Sequence, residues 1–236
     1  MKNASLSNIK VVSFDLDDTL WDCAPAIEAA EQALFAWHQQ VTPAIVKAHD
    51  PESLQAFRTS IRAEFPELQG CVTASRLAGL RRLLAEFGYP EKLAEEGFTV
   101  FHRARSDVQL YYGAIELLSA LQQDYRLAAI TNGNADLQSI GIAKFFDFIY
   151  AADLTMPAKP APEMFQLCLK DMNVPASALL HIGDNPVTDI VGGHNAGVQT
   201  LWFNQYNARW PDHLKVPHHQ AQSLTEIVSL FKEQTV

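Results

Sequence analysis

Four groups of residues carry side chains that can act together on a phosphoryl group. In Asp15-Leu16-Asp17-Asp18-Thr19-Leu20, the carboxylates of Asp15 and Asp17 are one residue apart, and alternate side chains of an extended chain share a side. Two such anions repel each other, and a Mg²⁺ ion ligated by their oxygens relieves the repulsion. The same segment also reads as an acidic surface turn or as a calcium loop, although it lacks the glycine that a calcium loop expects. Thr131-Asn132-Gly133-Asn134 offers a hydroxyl and successive backbone N–H groups as a phosphate cradle, or no more than an Asn-Gly turn. Lys159, between Ala158 and Pro160, supplies either a point charge for a phosphoryl oxygen or a solvated surface cation. In Gly183-Asp184-Asn185-Pro186-Val187-Thr188-Asp189, Asp184 or Asn185 fits a helix N-cap, Pro186 a first helical residue and Asp189 a first-turn acid. A carboxylate there also fits a metal site shared with Asp15, with Asp189 supporting the loop.

The elements that must position these groups are legible as apolar runs. Lys10–Phe14, Leu127–Ile130, Phe148–Ala151, Leu179–Ile182 and Thr200–Phe203 are continuous rather than alternating, as expected of buried parallel strands. Helical patterns at Ala114–Gln123, Pro162–Met172 and Pro186–Ala196 separate them, so the expected architecture is α/β with a Rossmann-like parallel-sheet core. Each of the four groups is expected at the carboxyl end of a predicted strand, where ligands bind in open α/β sheets.

Between Pro25 and Ser106 the rhythm stops. Helices are predicted at Pro25–Gln40, Glu52–Glu64, Thr73–Phe87 and Glu91–Ala104, with no strand, which marks an inserted all-helical unit. The expected division is a core of residues 1–22 and 107–236 and a helical unit of residues 23–106, with Trp21–Ala24 and Arg105–Gln109 as hinges. Leu77, Leu80, Leu83 and Leu84 recur at helical spacing as a packing face, and Arg81 and Arg82 fall on the solvated side. The final stretch is irregular before an amphipathic helix, Leu224–Glu233. His213, His218 and His219 lie in this stretch without metal-ligand spacing and read as surface-loop residues.

Bulk composition narrows the partners. Lys+Arg number 18 against 27 Asp+Glu, so the net charge of −9 disfavours nucleic acid. Cys23, Cys71 and Cys168 are odd in number and lack metal-binding spacing, which fits reduced thiols. Met1–Lys10 has no apolar signal-peptide core and no stretch has the length of a membrane span, so the expected location is cytoplasmic, with no membrane partner.

Taken in order, Asp15-x-Asp17-x-Thr19, Thr131, Lys159 and Gly183-Asp184 with Asp189 resemble the four motifs of the haloacid dehalogenase-like superfamily. The resemblance covers Lys10–Asp22 and Val108–Phe203, and the helical insertion resembles that superfamily's small helical cap, a mobile lid. It implies that Asp15 attacks phosphorus to form an aspartyl phosphate and that Asp17 protonates the leaving alcohol and then activates water. Asp15, Asp184 and the Asp17 backbone carbonyl would bind Mg²⁺, while Thr131 and Lys159, with Asn132 beside them, would serve the phosphoryl oxygens. The implied activity is hydrolysis of a small phosphorylated metabolite. A dehalogenase typically lacks an acid at position 17. A phosphomutase and a catalytically silent binding module are the other readings.

Glu64-Phe65-Pro66-Glu67 and Val72-Thr73-Ala74-Ser75-Arg76 are similar to a bacterial branch that includes flavin mononucleotide phosphatases. That similarity makes flavin mononucleotide or a related nucleotide or flavin-pathway phosphate the expected substrate, and Arg76, Arg58 and Arg62 the candidates for contacting its leaving group. Each arginine fits a solvated helix face equally well.

Overall fold

The computed structural model describes residues 5–68 and 70–232. Among them, six parallel strands form one sheet in the order β3-β2-β1-β4-β5-β6. They are β1 (Val11–Phe14), β2 (Arg126–Thr131), β3 (Phe148–Ala151), β4 (Leu179–Gly183), β5 (Gln199–Phe203) and β6 (His219–Ala221). Strand β1 pairs with both β2 and β4, so strand order reverses beside it, and Phe14 is level with Ala129 on one side and Ile182 on the other. The residues that follow β1 therefore emerge at the crevice where open α/β sheets bind ligands.

Alternate strand residues feed two cores. Val12, Phe14, Leu127, Leu180 and Ile182 pack with helices α6 (Ala114–Leu121) and α10 (Leu224–Lys232). Val11, Ala128, Ile130 and Leu179 pack with Met164, Phe165 and Cys168 of α8 (Glu163–Met172). Helices α7 (Leu137–Ile140) and α9 (Gly192–Asn195) are single turns. Glu233, the last residue of the predicted C-terminal helix, lies outside the described residues.

Helices α1 (Cys23–Val41), α2 (Pro43–Ala48), α3 (Pro51–Glu64), α4 (Val72–Glu86) and α5 (Leu93–Arg105) stand between β1 and β2 in the chain. They enclose their own apolar cluster, with Ala30, Leu34, Leu80, Leu83, Leu84 and Phe101 at its centre. The Asp22 side chain accepts from Ala24 N (3.0 Å) and caps α1, while Asp50 accepts from Ser53 N (2.8 Å) ahead of Pro51 and caps α3.

Four expectations require correction. Phe148–Ala151 is a strand but not a buried one: it lies at the sheet edge, leaving Ile149 45% exposed. A helix absent from the predicted set, α2, starts at Pro43, whose missing N–H costs nothing at a first helical position. His219 is buried in β6, not on a surface loop. Pro186–Ala196 is not one regular helix: Pro186–Val191 form a π-helical turn in which Ile190 N reaches Asn185 O (3.4 Å), and α9 follows. Such wide turns redirect side chains and cluster at functional sites.

Candidate active site

The loop after β1 carries Asp15, whose backbone N–H donates to Ile182 O (2.8 Å) and so continues the pairing with β4 for one residue. This places the Asp15 side chain at the strand ends, 8% exposed. Lys159 lies below it, with Nζ donating to Asp15 Oδ1 (2.8 Å), Asp189 Oδ1 (2.7 Å) and Ile130 O (2.7 Å). All three ammonium donors are thereby engaged. Asn132 holds the Lys159 backbone from both sides: Lys159 N donates to Asn132 Oδ1 (2.8 Å) and Asn132 Nδ2 donates to Lys159 O (2.9 Å). Thr131 ends β2, and its hydroxyl accepts from Gly133 N (2.9 Å), which closes the turn.

At the end of β4, Asn185 acts as the N-cap, accepting from Val187 N (2.9 Å) and Thr188 N (3.1 Å). The π-helical turn carries Asp189 inward, where Oδ2 accepts from Asn185 N (2.9 Å) and Oδ1 accepts from Lys159. Gly183 permits this. A Cβ there would fall 2.3 Å from Asp189 Cγ, so any side chain would evict the carboxylate.

Charge is unevenly compensated. Burial raises the Asp15 carboxyl to about 7 despite Lys159, and burial together with Asp189, Asp15 and Asp18 raises Asp184 to about 8. Against its own burial, Asp189 is held well below the usual carboxylate range by Lys159 and His181. Lys159 is held above its ordinary value, since Asp15 and Asp189 outweigh burial. Oxygens of Asp15, Asp184 and Asp189 lie within 4.8 Å of one another. Because both Asp189 oxygens are engaged by Lys159 and Asn185, Asp15 and Asp184 are the pair with oxygen to offer. The donor set fits a hard, oxygen-seeking dication such as Mg²⁺, which retains several waters.

Asp17 sits apart from those oxygens. Its Oδ1 accepts from Trp21 Nε1 (2.8 Å) and its Oδ2 from Arg105 Nη2 (2.5 Å), so its backbone carbonyl is what it can present to a cation. Arg105 Nε also donates to Asn134 Oδ1 (3.0 Å), and Asn134 is held by His102, whose Nε2 lies 2.6 Å from its carbonyl, and by Thr73 (3.0 Å).

The structure thus gathers Asp15, Asp17, Thr131, Asn132, Lys159, Asp184 and Asp189 at one crevice. Arg58 and Arg76 lie elsewhere, both on Glu31 (3.0 and 2.9 Å), with Arg76 also over the Phe101 ring. They line a cavity of about 810 Å³ between α1, α3 and α4 that Cys23 and Ala24 also line, and Cys23 N donates to Asp18 Oδ1 (2.9 Å). The Arg62 side chain lies outside what is described.

Sequence reasoning missed His181, Ser13 and Arg105 as parts of this network, and read Asn134 only through its backbone in the turn after β2. His181 is level with Ser13 and lies 2.9 Å from its hydroxyl through Nδ1, with Nε2 3.4 Å from Asp189. Burial lowers His181 to about 4, so the ring is neutral. For Ser13 and His181 the available signal was a polar residue inside an apolar strand run. Arg105 offered only its position at the end of the helical insertion.

The fold and this crevice define a Rossmann-like α/β protein with an inserted helical unit and a carboxylate-rich site at its strand ends. Residues 9–197 match the haloacid dehalogenase-like hydrolase family, and the chain belongs to that family. It is similar over 96% of its length to the 5-amino-6-(5-phospho-D-ribitylamino)uracil phosphatase YigB of Escherichia coli (30% identity, 98% of that protein). It is also similar to the glyceraldehyde 3-phosphate phosphatase of Pyrococcus abyssi (30% identity, 83% of this chain and 81% of that protein). Among solved structures, that of a 2-haloacid dehalogenase from Pseudomonas syringae superposes with a TM-score of 0.88 at 35% identity, covering 95% of this chain and 99% of that one. The magnesium-bound YfnB hydrolase of Bacillus subtilis superposes with a TM-score of 0.67 at 27% identity, covering 97% and 99%.

Proposed function

We propose that this chain is a Mg²⁺-dependent phosphatase acting on a small phosphorylated metabolite, with Asp15 as nucleophile and Asp17 as acid and base. The observation that carries this reading is Asp15 at the end of β1 with Lys159 on one oxygen, and a second carboxylate, Asp17, two residues away. An Asp15 oxygen attacks phosphorus, the ester P–O bond breaks, and the leaving oxygen takes a proton from Asp17. Asp17 then accepts a proton from water as its oxygen attacks phosphorus, and the bond to Asp15 breaks. The net result is an alcohol and inorganic phosphate. Asp15, Asp184 and the Asp17 carbonyl would hold Mg²⁺, which when bound neutralises charge on the phosphoryl oxygens. Lys159 neutralises a further part, and the Thr131 hydroxyl and the Gly133 turn orient the group.

Residues 1–22 and 107–236 act as the catalytic core and residues 23–106 as a cap that closes over it. For the substrate, we favour a phosphate at the end of a ribityl chain on a nitrogen heterocycle, which flavin mononucleotide shares with the compound in the YigB name. The cavity beside Arg58 and Arg76 is large enough for such a ring.

The similarity to a 2-haloacid dehalogenase favours one other reading, attack of Asp15 on carbon with loss of halide. Halide needs no proton to leave, and Asp17 would then have no task. The test is a screen with Mg²⁺ that measures phosphate release from ribityl, nucleotide and sugar phosphates, and halide release from 2-halo acids. Phosphate release alone supports the phosphatase, and halide release alone overturns it.

A further inference from the structure

We propose that Arg105 is a positioning residue for Asp17, joining correct placement of that carboxylate to the seating of the helical unit on the strand ends. The inference rests on the reading of Asp17 given above. Arg105 is the last residue of α5 and is 2% exposed. Its guanidinium uses two of its nitrogens for two acceptors on different loops: Nη2 reaches Asp17 Oδ2 after β1, and Nε reaches Asn134 Oδ1 after β2. A rigid fork fits both at once in a way that a single ammonium does not.

The geometry leaves Asp17 little freedom. Trp21 holds one oxygen from within the core and Arg105 holds the other from the helical insertion, so the carboxylate plane is set jointly by both parts of the molecule. Every further contact of Asn134 on this side also comes from the insertion, through Thr73 of α4 and His102 of α5. Gly133 shows how closely the loops approach. A Cβ there would lie 2.3 Å from Asp17 Oδ2 and 3.0 Å from Arg105 Nη2, so the Asp17–Arg105 contact exists only because position 133 has no side chain. Arg105 Nη1 is buried with no partner among the described residues, and a side chain that gives up hydration on one nitrogen is held in place by its other two contacts. If α5 moved away, Asp17 Oδ2 and Asn134 would lose their partner together. Proton transfer is sensitive to displacements of this size.

The experiment compares wild type, Arg105→Lys, Arg105→Gln and Asn134→Ala, all with Mg²⁺, by rapid mixing with an activated aryl phosphate and an alkyl phosphate. For Arg105→Gln we expect aryl-phosphate cleavage to form the phosphoenzyme within about threefold of the wild-type rate. Its hydrolysis should slow by about tenfold to a hundredfold, so that a burst of leaving group appears. The alkyl phosphate should lose more in kcat/KM than the aryl phosphate, because its leaving oxygen needs the proton. Arg105→Lys should restore part of the loss, and Asn134→Ala should shift the ratio in the same direction while keeping the wild-type melting temperature. Equal losses on both esters without a burst would overturn the inference, as would an unchanged ratio in a folded Asn134→Ala protein if the arginine variants do not fold. Wild-type protein that forms no phosphoenzyme from either ester would overturn the underlying reading of Asp15, and this inference with it.

Discussion

Lys159 Nζ and Asp189 Oδ1 lie 2.7 Å apart with their side chains 1% and 0% exposed. The pair anchors the crevice from beneath, because the same ammonium also holds Asp15. Without the Asp189 charge the desolvated ammonium is left with only the Asp15 carboxyl, itself raised to about 7, and breaking a buried pair costs about 3–5 kcal/mol. Asp189→Asn is therefore expected to lower unfolding stability by that order, measured from the denaturant midpoint. A midpoint equal to wild type would contradict this account of the pair.

The raised Asp15 and Asp184 carboxyls make the metal-free protein sensitive to pH. A carboxyl whose folded value is raised binds its proton more tightly when folded, so its stabilising contribution is present below the unfolded value of 3.8 and fades as pH rises through about 7 for Asp15 and about 8 for Asp184. The melting temperature of EDTA-treated protein should fall between pH 5 and 8 on account of these two groups, within a window set by those values. Mg²⁺ needs the ionised forms, so the gain in melting temperature on adding it should grow over the same interval. A gain independent of pH would argue against this pair as metal ligands, and phosphatase activity undiminished by exhaustive chelation would argue against a required metal.

Nucleophile and acid should separate by kinetics. Asp15→Asn should abolish both turnover and phosphoenzyme formation. Asp17→Asn should cost about 10²–10⁴ in rate on an alkyl phosphate and least on an activated aryl phosphate in the first step. Wild-type turnover by Asp15→Asn, purified free of host phosphatases, would sink the mechanism.

Gly133→Ala tests the crowding around Asp17. The new Cβ would meet Asp17 Oδ2 at 2.3 Å and must displace it. Because residue 133 is only half-buried, we expect kcat to fall by about tenfold or more while the melting temperature stays within a few degrees of wild type. A variant with wild-type kcat would show that Asp17 need not be where the structure puts it.

Much of the core was legible because its chemistry is written locally. The apolar runs around Val12, Leu127, Leu180 and Leu201 read as buried strands and are strands, and Asp15, Thr131 and Asp184 fall at or just beyond their ends. The position of Lys159 could not be read that way. It lies in the loop between β3 and α8, eight residues beyond the strand end, and the Asn132 side chain, holding its backbone from another loop, together with Ile130 O and Asp189 on its ammonium, fixes it beside Asp15. Asp189 was legible as a helix N-terminal acid, yet a regular first turn would leave it facing solvent, and the π-helical turn and the space left by Gly183 were needed to bring it inside.

The sequence by itself determined the α/β rhythm, the helical insertion and the identity of the residues that gather at the strand ends. The rhythm and the insertion follow from periodicity and the site residues from short motifs and their resemblance to a known superfamily, all of which are carried by neighbours along the chain. Only the tertiary structure decided which charges meet. His181 faces Ser13 across the β1–β4 register, Arg105 meets Asp17 from 88 residues away, and Arg76 turns to Glu31 instead of to the crevice. Burying an ionic or polar group is costly unless it finds a partner at hydrogen-bond distance, and such partners come from wherever the fold delivers them, at separations along the chain that no local pattern records.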